Sequence, residues 1–192
     1  MILYLSIITI CVSIIATLVT WIYNADFLPV LGYTALAVVA VIAVDIVIST
    51  IARCLPKKCA NHSAKVFTVS AGEKKFYEQL KIRKWKDYVP EIGHFTGFRK
   101  NKIADPKSVE YLDRFLLEIC YGEIGHFFSL FFGFAILLMF TLTKVWLAIA
   151  IPVAVINVLL NLPSLFILRY NSYKLEILRK STIKKQALHN NQ

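Results

Sequence analysis

The sequence predicts an all-α, polytopic membrane protein: four transmembrane helices with a cytosolic helical loop between the second and third. Three observations carry this. First, 57% of the 192 residues are hydrophobic, with a mean hydropathy of +0.61, above what a water-soluble domain carries on its surface and core together. Second, four apolar runs reach the length needed to cross a bilayer, about 20 residues each; they cover roughly Ile2–Tyr23, Val30–Ile51, Phe127–Thr143 and Val145–Leu168. Third, the charge is segregated. Of 22 Lys and Arg, 15 lie between Ala52 and Phe128 and 6 follow Leu168, leaving only Lys144 between the third and fourth runs. The positive-inside rule then places both termini and the large loop in the cytosol of a multi-pass cell-membrane protein.

The divisions expected from this pattern are a first hairpin over 1–51, a basic interfacial segment over 52–126, a second hairpin over 127–168 and a basic tail over 169–192. The first run lacks a basic leader and a small-residue cleavage site before Asn24, so it reads as a retained helix. The second run is aliphatic except for Asp45. Two readings of Asp45 stand: it faces the bundle and meets a basic partner or a water-filled cleft, or it reaches the headgroups from the helix end.

Leu55-Pro56-Lys57-Lys58 ends the second helix. Ser70-Ala71-Gly72-Glu73 reads as a capping box, starting a short helix whose apolar face is Phe76, Tyr77 and Leu80 and which suits the inner leaflet. In Ile82-Arg83-Lys84-Trp85-Lys86-Asp87, one Trp among basic residues is either an interface anchor or an anion clamp. Glu91–Asp105 reads as a loop, with His94 between Gly93 and Gly97. Asp105-Pro106 then predicts an N-cap with Pro at the first helical position. Val109, Leu112, Phe115, Leu116 and Ile119 recur at three- and four-residue steps, the pattern of an amphipathic helix. That helix runs into LEICYGEIGHFFS, where Gly122 and Gly125 either bend it or admit a close neighbour. In the fourth run Asn157, Asn161 and Ser164 share a face, with Pro163 predicting a kink. The tail beyond Lys180 reads as disordered.

Several chemistries lack a signature. There is no P-loop, dinucleotide fingerprint, GxSxG or zinc-finger spacing, and Cys11, Cys54, Cys59 and Cys120 complete no metal site. No metal, no cofactor and no nucleic acid are expected; anionic lipid headgroups suffice as partners for the basic loop. What remains is a carboxylate and an imidazole, Glu123 and His126, three residues apart where a helix enters lipid.

Three stretches, in this order, resemble the bacterial glycosyl-4,4′-diaponeurosporenoate acyltransferases. They are Phe76-Tyr77 through Ile82-Arg83-Lys84-Trp85-Lys86-Asp87, Glu118 through Glu123-x-x-His126, and Asn161-x-Pro163 through Arg169-Tyr170-Asn171 to Leu175. The resemblance covers about Phe76–Arg179. It implies a small helical membrane enzyme that transfers a fatty acyl group to the sugar of a glycosylated carotenoid, the last step to staphyloxanthin-like pigments.

An alcohol is a weak nucleophile near neutral pH, so the expected catalytic pair is His126 as general base with Glu123 orienting it. Residues expected to bind substrate are Arg83, Lys84, Trp85, Lys86, Glu118, Asn161, Arg169, Tyr170 and Asn171. The cationic ones among them would hold a phosphorylated donor or the oxyanion. Expected partners are an acyl donor such as acyl-coenzyme A or an acyl carrier protein, an amphipathic acceptor, and membrane lipids. Two other readings are open: a non-catalytic subunit binding a lipid or partner helices, and a metal site from Glu118, Glu123, His126 and His94, which lacks the second Glu-x-x-His a di-iron bundle needs.

Overall fold

The computed structural model describes residues 2–89, 103–140 and 143–190; the glycine-flanked His94 lies outside them. Of the described residues 84% are helical, and none lies in a strand. Among the described residues six α-helices follow in order: α1 (Ile2–Tyr23), α2 (Phe27–Cys54), α3 (Ala71–Gln79), α4 (Ile82–Trp85), α5 (Val109–Phe132) and α6 (Lys144–Asn190). Four stretches (Leu5–Tyr23, Phe27–Cys54, Val109–Leu138 and Lys144–Leu188) are long and apolar enough to cross a membrane by length and composition. The fold class is therefore all-α with four candidate spans. Contacts divide the chain into two compact units, 1–50 with 125–162, and 51–124 with 163–192.

In the first unit, small residues sit where helices meet. Ala16, Ala37, Ala150 and Ala154 are fully buried beside Val19, Ile136 and Ile149. Lipid is as apolar as any side chain, so helices in it associate by close packing, which short side chains permit. The opposite faces carry Ile10, Ile14, Trp21, Val39 and Ile46, all exposed, as lipid-facing surfaces require. Asn24 ends α1 with φ 48°, the left-handed conformation that Asn tolerates well. The third span is not α-helical to its end as expected. At Gly133 it tightens into a 3₁₀ helix through Leu138. A Cβ on Gly133 would stand 2.5 Å from Asn157 Nδ2, so the missing side chain makes room for that amide.

The second unit is built on a seam between α5 and α6. Leu112, Phe115, Leu116 and Ile119 pack with Leu175, so the face read from periodicity is the buried one. Gly122 admits Leu168, whose Cδ1 lies 2.9 Å from where a Cβ would be; close approach, within a continuous helix, is what this glycine serves. Ser70 Oγ accepts from the Glu73 backbone N–H at 3.1 Å, starting α3 as expected. Lys81 then takes φ 53° and lets α4 turn away. The amphipathic face of α3 is divided: Tyr77 is buried with Ile82, Ile167 and Tyr170, while Phe76 and Leu80 stay exposed.

Two expectations are corrected here. Asp105-Pro106 does not cap α5: Asp105 Oδ1 accepts the N–H groups of Lys107 and Ser108 in a local turn, and Ser108 Oγ caps the helix by accepting from Tyr111. Nor is the tail beyond Lys180 unstructured. Here α6 is 47 residues long, runs through Pro163 and continues to Asn190. Its last turns are tied down by Thr182 Oγ1 and Gln186 Nε2, which donate to the carbonyls of Pro106 and Lys107.

Candidate functional site

The residues singled out by sequence fall into two polar clusters, one in each unit. The first lies in the four-span unit. His126 Nδ1 is 2.7 Å from Asn161 Oδ1. The Asn161 amide nitrogen reaches Asp45 Oδ2 at 3.1 Å, Asn157 Oδ1 at 3.0 Å and the Asn157 carbonyl at 3.1 Å. Asn157 Nδ2 donates to the Ser129 carbonyl at 3.2 Å and approaches Asp45 Oδ1 at 3.5 Å. Both asparagines and Ser129 are buried. Three helices contribute: α2 gives Asp45, α5 gives His126 and Ser129, and α6 gives the amides one turn apart. Of the sequence readings of Asp45 the one inside the bundle holds, but its partners are the amides of Asn157 and Asn161 in place of the basic group expected.

The second cluster is ionic. Arg169 on α6 donates through Nε to Glu73 Oε1 and through Nη2 to Glu73 Oε2 at 3.1 Å. Its Nη1 donates to Glu123 Oε2 at 2.9 Å and to the Val66 carbonyl at 3.1 Å. The planar guanidinium with its forked donors is suited to bridging two carboxylates at once. Tyr77 Oη donates to Glu73 Oε1. Glu123 is 3% exposed, and its Oε1 is buried without a hydrogen-bond partner among the described residues. Burial raises the Glu73 carboxyl, but Arg169 and Tyr77 hydrogen bonds, the Arg169 charge and the Ser70 N–H pull further down, leaving it below 4.5. The Tyr77 phenol is raised, by burial first and then by the adjoining Glu73 carboxylate.

The expected pairing of Glu123 with His126 gives way to separate partners, Arg169 for the one and Asn161 for the other. Arg169 itself is held by two carboxylates and a carbonyl. Glu118 pairs with Arg53 at 3.0 Å. Tyr170 and Asn171 are buried; the Tyr170 ring carries Lys174 Nζ 4.2 Å from its centroid. Arg83 and Lys84 are exposed, Lys86 is half-buried, and half-buried Trp85 donates from Nε1 to the Leu80 carbonyl at 2.8 Å. Among the described residues no group of three His, Cys, Asp or Glu is arranged to hold a metal ion. Sequence reasoning missed two partners, Glu73 and Asp45. Glu73 gave only a capping signal, and Asp45 gave one that was ambiguous, a lone charge in an aliphatic helix.

The model of the glycosyl-4,4′-diaponeurosporenoate acyltransferase family matches residues 63–181, more than half of the chain. The chain belongs to that family. It is accordingly an acyltransferase, of a family that acts in carotenoid biosynthesis. No curated protein matches the chain, and no solved structure does. The family match takes in Glu73, Tyr77, Arg83–Lys86, Glu118, Glu123, His126, Asn161 and Arg169–Asn171. It stops short of the first hairpin, so Asp45 and Arg53 stand outside it.

Proposed function

We propose that this acyltransferase moves a fatty acyl group onto a hydroxyl of a glycosylated lipid or carotenoid, with His126 as general base. The observation that carries the reading is the 2.7 Å contact between His126 Nδ1 and Asn161 Oδ1, which engages one ring nitrogen and leaves Nε2 for chemistry. In the step, Nε2 takes the proton of the acceptor hydroxyl as its oxygen attacks the acyl carbonyl carbon. With a thioester donor, the new C–O bond forms as the C–S bond breaks, and the imidazolium returns its proton to the leaving thiolate. Arg83 and Lys84, exposed on the short α4, offer charge to a phosphorylated donor such as acyl-coenzyme A, or to an acidic acyl carrier protein. Apolar helix surface solvates the acyl chain. The charge distribution supports a cell-membrane protein with termini and large loop in the cytosol, so the donor arrives from the cytosolic side.

Replacing His126 with Ala tests this. The variant should accumulate and insert normally, because a small apolar side chain is tolerated where a helix enters lipid. Its turnover, followed as acylated glycolipid by mass spectrometry of reconstituted protein, should fall by roughly 10²-fold or more. Normal turnover per molecule would remove His126 from the reaction.

A further inference from the structure

We propose that Asp45, on the first hairpin, is a positioning residue for His126, acting through Asn161 to hold the imidazole proton on Nδ1; this rests on His126 being the base. The Asn161 amide sets the pattern. Its nitrogen has three oxygens within 3.1 Å: Asp45 Oδ2, Asn157 Oδ1 and the Asn157 carbonyl. An amide turned the other way would set Oδ1 against three acceptors, so the hydrogen-bond pattern fixes its orientation. Asn161 then has only an acceptor to show His126. The ring nitrogen facing it at 2.7 Å must carry the hydrogen, and the lone pair is left on Nε2.

Asp45 ties this arrangement to α2. A carboxylate only accepts, so it keeps the Asn161 NH₂ group turned toward α2. It also draws Asn157 Nδ2, at 3.5 Å, and Ser129 accepts from that same nitrogen at 3.2 Å. With an apolar residue at 45, two carbonyl-type acceptors on α6 would still hold the amide, but nothing on α2 would. The simpler alternative is that these amides only join helices, as buried Asn side chains in membranes do. That alternative predicts lost stability and an unaltered ring. The positioning role predicts an altered ring. It also makes the first hairpin, which lies outside the family match at residues 63–181, part of the catalytic apparatus.

The test uses the full chain reconstituted in lipid bilayers. With only four histidines, ¹⁵N-histidine labelling resolves the His126 ring, assigned by its absence from His126→Gln. Wild type should show the proton on Nδ1; a proton on Nε2 overturns the proposal without any variant at position 45. Asp45→Asn should lower kcat by roughly 10- to 100-fold, by analogy with the outer partners that orient metal-bound histidines, with KM within about twofold of wild type and the ring proton redistributed toward Nε2. Wild-type kcat and an unshifted ring in Asp45→Asn overturn the proposal while leaving His126 as base. A fully active His126→Ala overturns both readings, so the two failures are told apart.

Discussion

Around Asn161, in the first unit, the polar groups are two amides, an imidazole and one carboxylate; around Arg169, in the second, they are a guanidinium and two carboxylates. Both are largely buried, yet they do different things with burial. Charges taken out of water are expensive and are tolerated only with close, well-aligned partners. Arg169 meets that condition by gripping Glu73 through two nitrogens and Glu123 through a third, thereby fastening α3 and α5 to α6. The Asn161 cluster carries less charge and more direction. Amides have a donor end and an acceptor end, so a chain of them dictates where hydrogens sit. One cluster holds the fold together, and the other specifies a protonation pattern.

Arg169→Met should separate these roles most strongly. It strands Glu73 and Glu123 without their cation, and removing one partner of a buried pair costs about 3–5 kcal/mol. Thermal unfolding in lipid should show that loss, whereas His126→Ala should unfold near the wild-type temperature. Equal destabilisation by the two substitutions would break the distinction.

Gly133→Ala has a middle-sized effect. The added Cβ falls 2.5 Å from Asn157 Nδ2, so the buried amide must move. Overpacking of this kind costs about 1–3 kcal/mol, and displacing Asn157 should also slow turnover. Retained turnover with lost stability would mean that Asn157 serves packing alone.

The smallest effect is in the acid limb of stability. Glu73 has a folded pKa below 4.5, so its ionised form favours the fold; that contribution is complete above 4.5 and disappears as pH falls through the lowered value. Unfolding temperature should drop across this window in wild type. Glu73→Gln should be less stable at neutral pH and flatter across the window. An unchanged acid slope would relocate the sensitivity to another carboxylate.

The spans were legible because an apolar run of bilayer length has few other uses, and the α5–α6 seam because Leu112, Phe115, Leu116 and Ile119 keep strict helical steps. Glu123 and His126 were legible as ionisable groups in a costly place, but their partners were not. Three residues turn a helix through about 300°, so the two side chains diverge by about 60°, and each finds its own partner on α6. Local reading also favoured Asp105-Pro106 as a cap, where Ser108 prevailed by having its hydroxyl nearer the first free N–H groups. The helical tail was hidden because its anchors, Thr182 and Gln186, bind backbone some 76 and 79 residues earlier in the chain. No periodicity records such contacts. Asp45 suffered the same concealment, since the amide that it accepts from lies 116 residues away.

That separation has a consequence for biogenesis. Asp45 leaves the ribosome 112 residues before Asn157 and 116 before Asn161. At synthesis rates of about 5–20 residues per second, the delay is on the order of ten seconds. Throughout it, α2 holds in lipid a carboxylate displaced from the helix centre, its insertion cost below the about 2.5–3.5 kcal/mol of a central position and offset by its aliphatic neighbours. A nascent chain arrested before α6 therefore displays a lone acid inside the bilayer, a chemical mark of an unfinished protein that the arrival of two asparagines erases.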